Sequence, residues 1–135
     1  MNFYYYIFTC AYWVSIKDLK EKSAPQEYAF LFISIVDVLL FVIIIGLINI
    51  AVGHNLLNGG IVIITCSIIA TINYLTFLRN KKYAGIIEKF KELSSPEFKR
   101  KRVRTIVVTF LIAGVLAIAV AGLNNSDFRN WLFNN

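Results

Sequence analysis

The sequence has few charged residues and almost none of the side chains that build catalytic or metal sites. Only 16% of its 135 residues are charged, whereas 58% are hydrophobic and the mean hydropathy is +0.65. A soluble domain is about a quarter charged, so the composition excludes an ordinary soluble protein. Two cysteines and one histidine are too few for a disulfide framework or a zinc site. Because there is no HExxH motif, phosphate-binding loop or Ser-His-Asp order, we expect no enzyme and no cofactor.

Long hydrophobic runs are the main feature that is present. Three of them are near or above the length of about 20 residues that crosses a bilayer as a helix. They cover residues 28–52, 61–78 and 105–123. Backbone polar groups in hydrocarbon must be paired internally, and these runs lack the alternation of barrel strands, so we predict helices. The sequence thus predicts an all-α integral membrane protein, a single domain over 1–135, with transmembrane helices at 24–52, 61–93 and 96–123.

A fourth apolar stretch, from Phe3 to Ile16, has 14 residues, of which four are tyrosine and one is tryptophan. As a helix it would reach about 21 Å, which is less than the bilayer core of about 30 Å. Tyrosine and tryptophan are enriched where the bilayer meets water. We therefore predict an interfacial or half-inserted helix over 2–17, and a short fourth span is the alternative.

Basic residues are distributed unevenly, since thirteen of the fourteen lie in two segments. These are Lys17, Lys20 and Lys22 before the first span, and Arg79, Lys81, Lys82, Lys89, Lys91, Lys99, Arg100, Lys101, Arg102 and Arg104 between the second and third. Cytoplasmic loops carry the excess of basic residues, so we predict that 79–104 is cytoplasmic and that an aromatic C-terminal tail, 124–135, is outside. An interfacial N-terminal helix puts the N-terminus inside, whereas a spanning one puts it outside.

The helical pattern of the second span continues beyond the membrane. Apolar residues recur on one helical face at Tyr83, Ile86, Ile87, Phe90 and Leu93. No helix breaker precedes Ser94-Ser95-Pro96, so we predict one continuous helix over 61–93 that projects about 20 Å beyond the bilayer. A second helix starts at Pro96 and completes a cytoplasmic helical hairpin. Its apolar face is covered either by the N-terminal segment or by a cytoplasmic partner.

The run INYLTFLRNKKYAGIIEKFK, residues 72–91, resembles a group of uncharacterised small bacterial membrane proteins. Those proteins also share an aromatic start like FYYYIF and a first span that follows a proline. This sequence departs from their pattern in its KRKRVR stretch and its aromatic tail. The resemblance implies three spans in a bacterial inner membrane, and it implies no activity.

Asp37 is the one acidic residue inside the three hydrophobic runs. It lies about 14 Å along the first span from Tyr28, near mid-bilayer, where a carboxylate costs about 2.5–3.5 kcal/mol. Thr71 and Asn73 have a similar depth on the antiparallel second span. We predict an intramembrane polar cluster of Asp37, Thr71 and Asn73, in which hydrogen bonds offset part of that cost. Such a cluster holds two spans together, contacts a partner helix or handles an ion.

Small residues line one side of the third span. They are Ala113, Gly114, Ala117, Ala121 and Gly122. Small residues at intervals of four let two helix backbones approach closely in lipid, so we predict a helix-packing or oligomer face. The pattern does not say whether the partner helix belongs to the same chain.

A basic cluster precedes the third span directly. It consists of Lys99, Arg100, Lys101, Arg102 and Arg104. Each such residue adds about 1 kcal/mol of attraction to anionic headgroups, so we predict that the cluster faces lipid and fixes the topology. Phe98 is the single aromatic residue beside it, whereas single-stranded nucleic acid requires stacking aromatics, so we expect no nucleic-acid partner.

These features predict a non-catalytic membrane protein that acts as an interaction, accessory or immunity-type subunit. Its partners are the bilayer and either another membrane protein or a second copy of the chain. The alternative is an oligomeric pore or membrane-perturbing effector of the toxin or phage-defence type. In that arrangement several chains place Asp37, Asn49, Thr65 and Asn73 on a wet lumen.

Overall fold

The computed structural model describes residues 3–20, 23–53 and 59–125. Every regular element in these residues is a helix, as predicted. The α-helices are α1 (Phe3–Trp13), α2 (Pro25–Val52), α3 (Gly59–Asn73), α4 (Lys82–Lys89) and α5 (Lys99–Asn124). π-Helical turns extend α1 over Val14–Asp18 and α3 over Tyr74–Leu78, and 3-10 turns cover Arg79–Lys81, Lys91–Ser94 and Pro96–Phe98. The predicted tail beyond residue 125, the basic residue Lys22 and the first residue of the predicted 2–17 helix lie outside the described residues.

Three helical segments are long and apolar enough to cross a membrane, as predicted. They are Pro25–Val52, Gly60–Lys89 and Pro96–Asn124. α2 begins with Pro25 in its first turn, where the missing N–H leaves no hydrogen bond unmade. It ends at Gly53, whose φ of 74° is left-handed and whose N–H donates to the Asn49 carbonyl at 2.8 Å. These three segments suggest a multi-pass membrane protein.

α2 is the central helix and packs against α1, α3 and α5. α5 runs parallel to it, because Phe110 of α5 meets Phe32 and Val120 lies beside Gly46. α3 runs in the opposite direction, because Asn73 contacts Asp37 while the following Phe77 packs near the start of α2. This alternation of directions places both ends of the basic 79–104 segment at the same end of the helix assembly.

The core of the protein is built around α1. Ile7, Phe8 and Ala11 of this helix are buried with Ala29 and Ile33 of α2. They are joined by Phe77 and Ile86 from the second span-length segment. Tyr4 near the start of α1 contacts Asp37, whereas Asp18 beyond its end pairs with Arg102 near the start of α5. Because α5 is parallel to α2, α1 and α2 are antiparallel. The N-terminal end of α1 therefore lies beside Asp37, about 18 Å along α2 from Pro25.

The prediction of one continuous helix over 61–93 is wrong. The helix opens into the π-helical turn at Tyr74–Leu78, and the backbone then reverses at Asn80 and Lys81, which both have a φ of 56°. Left-handed conformations interrupt an α-helix, and asparagine is one of the residues that accepts them most readily. The Lys82 ammonium donates to the Leu75 carbonyl at 3.3 Å across this break. α4 then starts in a new direction.

α4 ends at Lys89, and the break that Ser94-Ser95-Pro96 predicts is confirmed. Ser95 has extended backbone angles, and Pro96 opens a 3-10 turn that leads into α5. α4, the two turns and the start of α5 form the helical hairpin. Its position in the cytoplasm stays a prediction.

Candidate functional site

Three polar side chains from three helices meet at a partly buried site. The Tyr4 hydroxyl of α1 lies 2.5 Å from Asp37 Oδ2 of α2 and 2.6 Å from Asn73 Oδ1 of α3. The Asn73 amide nitrogen donates to the same Asp37 oxygen at 2.8 Å and to Ser34 Oγ at 3.2 Å. We call Tyr4, Ser34, Asp37 and Asn73 the polar cluster. It joins α1, α2 and α3.

The predicted contact between Asp37 and Asn73 is confirmed, and Asn73 is 2% exposed. The inclusion of Thr71 is wrong, because its hydroxyl donates to the Ser67 carbonyl of its own helix at 2.8 Å and the residue is exposed. Two positions along a helix rotate a side chain by about 200°, so Thr71 and Asn73 cannot face the same neighbour. The spacing of Thr71 and Asn73 in the sequence was therefore enough to separate them onto different helix faces.

Tyr4 and Ser34 are the members of the cluster that sequence reasoning missed. The FYYYIF stretch indicates an interface-seeking helix, and tyrosines in such a helix are expected at the headgroups. In the structure α1 lies against α2 with its start at the depth of Asp37, so Tyr4 brings its hydroxyl to the carboxyl. The sequence nevertheless contained an indication of the contact between a tyrosine and Asp37. An acid in the middle of a span needs a hydrogen-bond donor, and four tyrosines lie in a segment that is too short to span.

Aromatic packing fixes the position of α1 beside the cluster. The Phe8 and Phe77 rings stack with centroids 4.2 Å apart and planes 7° apart, and both residues are fully buried. Tyr4 and Tyr5 contact the same Phe77 ring at 5.3 Å and 5.8 Å. Phe77 lies on the π-helical turn. Such a turn contains one residue more than an α-helical turn, and this extra residue directs the Phe77 ring into the core.

A second polar site, which we call the arginine clasp, lies at the other end of α1. Arg102 of α5 is 1% exposed and donates to the Leu93 and Ser95 carbonyls at 2.5 Å and 2.9 Å. Its guanidinium also pairs with Asp18 Oδ2 at 3.3 Å. The clasp therefore joins the end of the α1 segment to the hairpin turn and to α5. The prediction that Arg102 faces lipid is wrong, because these acceptors draw it inward.

The other members of the predicted basic cluster are exposed. They are Lys99, Arg100, Lys101 and Arg104. The Lys99 ammonium lies 3.8 Å from Asp18, and the Lys101 ammonium lies over the rings of Phe98 and Tyr6 at 5.4 Å and 6.0 Å. Their contact with anionic headgroups stays a prediction.

The small residues of α5 divide between two surfaces. Ala113 and Ala117 are buried, together with Val120. A Cβ on Gly46 of α2 would overlap the Val120 side chain, so the helices approach closely at this point. Asn124 Nδ2 fastens the same contact by donating to the Gly46 carbonyl at 3.0 Å. This half of the predicted face thus has its partner within the chain.

The outward half of the small-residue face remains uncovered. Ala121 is exposed, and a Cβ on Gly114 would meet nothing within 4 Å. Gly122 has intermediate exposure. The oligomer role of these residues stays a prediction.

The apolar face of the hairpin is covered from within the chain. Ile86, Ile87 and Leu93 are buried, and the rings of Phe90 and Tyr83 contact Tyr6 and Tyr12 of α1 at 5.8 Å and 6.4 Å. Of the two predicted covers, the N-terminal segment is therefore the one observed.

The two sites join helices. In the ranges that the structure describes, no three His, Cys, Asp or Glu side chains are close enough to hold a metal ion. The polar cluster has one carboxyl and one phenol, whose hydrogen bonds are directed to each other and to an amide. Two of the side chains predicted to line a lumen, Asp37 and Asn73, are paired within one chain, and Asn49 is 5% exposed. Comparison with protein-family models, curated proteins and solved structures finds no match for this chain.

Proposed function

We propose that this chain is a non-catalytic membrane protein that acts as an interaction or accessory subunit. It binds another membrane protein or a second copy of itself through helix-helix contacts in the bilayer. The observation that carries the proposal is the uncovered outer face of α3.

α3 is the least covered of the long helices. From residue 60 to residue 73 the structure buries only Asn73, and α3 packs mainly along α2. Its exposed apolar side chains are Ile61, Ile63, Ile64, Ile68 and Ile72. Lipid alone covers such a face adequately, so exposure by itself does not identify a docking surface.

Two small hydroxyl residues distinguish this face from an ordinary lipid-facing one. Ser67 and Thr71 are exposed one turn apart, and their hydroxyls donate to the Ile63 and Ser67 carbonyls at 2.9 Å and 2.8 Å. Each hydroxyl oxygen can still accept a hydrogen bond from a donor on another helix. Together with Ile68 and Ile72 they line a shallow depression. Small residues flanked by branched apolar ones favour close helix approach in membranes.

The chain is proposed to lie in the bacterial inner membrane with residues 79–104 in the cytoplasm and its C-terminus outside. The supporting argument is the clustering of basic residues at one end of the parallel α2 and α5 helices. The exposed Arg100 and Arg104 then lie at anionic headgroups. A cysteine-accessibility scan should find residue 91 reactive from the cytoplasm only, and reactivity from outside would reverse the orientation.

Site-specific photo-crosslinking in native membranes tests the proposed face. A probe at Ser67 or Thr71 on α3 should give one discrete adduct, whereas a probe at Val115 or Ile118 on the exposed side of α5 should give none. Self-association measured in bilayers then distinguishes a second copy from another protein. A monomeric chain without an α3 adduct would contradict the proposal. If expression depolarises cells and Asp37→Leu changes the conductance, the chain is a pore instead.

A further inference from the structure

We infer that a groove at the start of α5 binds one anionic phospholipid, with the phosphate between Arg100 and Arg104 and an acyl chain along the apolar residues that follow. Basic residues near a membrane attract many headgroups weakly and at once. The groove instead predicts a saturable site for a single lipid. The inference rests on the membrane location in the proposed function, but it does not depend on the α3 contact or on the orientation of the chain.

The groove combines positive charge with apolar surface. Its volume is about 860 Å³, and pockets that hold small molecules measure roughly 300–1,000 Å³. Its charged lining residues are Glu97, Lys99, Arg100 and Arg104, and Val103 and Val107 are among its apolar ones. Three cations and one carboxylate give this lining a net charge of +2. An amphipathic ligand with a net negative charge therefore complements the groove better than a zwitterionic one.

Two of the five basic residues at the start of α5 are available to such a ligand. Arg102 is buried in the arginine clasp, Lys99 approaches an acidic side chain at 3.8 Å, and Lys101 lies over two aromatic rings. Arg100 and Arg104 are exposed and form no hydrogen bond or ion pair with the residues that the structure describes. Both of these arginines line the groove.

Arg100 and Arg104 are spaced so that one phosphate can lie between them. Four residues along a helix rise about 6 Å and rotate by about 40°, so the two side chains are neighbours on one face. Each guanidinium presents a planar fork of donors that matches two phosphate oxygens. Glu97 would repel a second phosphate, whereas its carboxylate can accept hydrogen bonds from headgroup hydroxyls. These groups together favour a phosphodiester with a hydroxylated, uncharged headgroup, as in phosphatidylglycerol.

The apolar part of the site continues along the same face of α5. At 100° per residue, six positions lie within about 40° of the direction of Arg100. They are Arg100, Arg104, Val107, Leu111, Gly114 and Ile118. Val107, Leu111 and Ile118 are 47%, 56% and 74% exposed, and a Cβ on Gly114 would meet nothing within 4 Å. One face thus presents charge first and apolar surface next, which is the order of groups in a phospholipid.

The buried residues of α5 lie on the opposite side of the helix. Arg102, Ala113, Ala117 and Val120 are buried, and each is rotated by at least about 100° from the direction of Arg100. The packing of α5 against the rest of the chain therefore leaves the groove and its apolar continuation facing outward. A lipid can occupy this face without displacing any helix.

Lipid titration of the full chain purified in a neutral detergent tests the site. Native mass spectrometry counts the bound molecules of short-chain phosphatidylglycerol, phosphatidylethanolamine and phosphatidylcholine. Phosphatidylglycerol should bind to saturation at one molecule per chain, at least about tenfold more tightly than the two zwitterionic lipids. Equal affinity for all three lipids would overturn the inference, and this result needs no variant. A wrong membrane location would be recognised separately, because the chain would leave native membranes without detergent.

Substitution of the arginines distinguishes a site from diffuse attraction. Arg100→Gln and Arg104→Gln should each weaken the binding of phosphatidylglycerol by about tenfold, because each removes charged donors to the phosphate. Arg79→Gln is the matched control, since Arg79 is exposed at the same end of the assembly but does not line the groove. It should change the affinity by less than about twofold. Equal losses in the three variants would overturn the inference.

Two further measurements test the part of the groove that holds the acyl chain. Val103→Trp fills the groove without changing its charge and should abolish the saturable binding of phosphatidylglycerol. Ile112→Trp places the same ring on an exposed position outside the groove and should leave the binding unchanged. Inorganic phosphate at the concentration of the lipid should not displace it, because phosphate has no acyl chain. Displacement would show a general anion site and would overturn the assignment to a lipid.

Discussion

The Phe8 and Phe77 rings stack face to face with centroids 4.2 Å apart, and both are inaccessible to solvent. This pair joins the N-terminal helix to the π-helical turn of the second long segment. We predict that Phe8→Ala destabilises the protein by about 3–5 kcal/mol, because a buried aromatic ring is replaced by a cavity. Reversible unfolding in mixed micelles measures the change.

Phe3 on the same helix provides the control for this prediction. Its side chain is 65% exposed, so Phe3→Ala should change the free energy of unfolding by less than about 0.5 kcal/mol. Equal effects of the two substitutions would contradict the view that α1 is part of the core. α1 would then be a peripheral helix that merely touches the bundle.

The close approach of α2 and α5 depends on the absence of a side chain at Gly46. A Cβ there would overlap Val120 Cγ1 and lie 3.1 Å from Asn124 Nδ2. We predict that Gly46→Ala costs about 1–3 kcal/mol through overpacking. Shortening Val120 to alanine should restore space, so the double variant should be less destabilised than the sum of the single ones.

Gly114→Ala is the matched control for Gly46→Ala. A Cβ at Gly114 would have nothing within 4 Å, and alanine is about 1 kcal/mol better than glycine inside a helix. The substitution should therefore be neutral or stabilising in the monomer. A strong destabilisation would indicate that Gly114 packs against a second chain.

Arg102 holds the hairpin turn to α1 and α5 through its buried guanidinium. We predict that Arg102→Met costs about 3–5 kcal/mol, because two carbonyls lose their donor and Asp18 keeps the exposed Lys99 as its charged partner. Arg104→Met removes the same charge from an exposed position and should cost less than about 0.5 kcal/mol. Thermal unfolding of the two variants measures the difference. If they unfold alike, Arg102 is not a structural residue.

The sequence predicts the number of span-length helices, their relative directions and the contact between Asp37 and Asn73. Asp37 and Asn73 could be paired from the sequence because helical rise is constant, so two antiparallel spans align by counting from the basic end. Tyr4 could not be added in this way, since nothing local indicates how deep α1 lies against α2. No local sequence pattern predicts the burial of Arg102 either. Its acceptors are Asp18, which is distant in sequence, and carbonyls freed by a 3-10 turn that hydrophobic spacing does not reveal.

The backbone adopts left-handed angles between the π-helical turn at Tyr74–Leu78 and α4. Glycine substitutions at two adjacent residues there should therefore change the free energy of unfolding in opposite directions. Lys81 has a φ of 56°, whereas Lys82 has a φ of −56° and begins α4. A left-handed conformation costs an ordinary residue about 1–2 kcal/mol and costs glycine little, while glycine also gains more freedom on unfolding. We therefore predict that Lys81→Gly stabilises by up to about 1 kcal/mol and that Lys82→Gly destabilises by about as much. Both substitutions remove one positive charge, so the charge change cancels in the comparison. Destabilisation by both in chemical unfolding would show that the chain continues as a helix through residue 81.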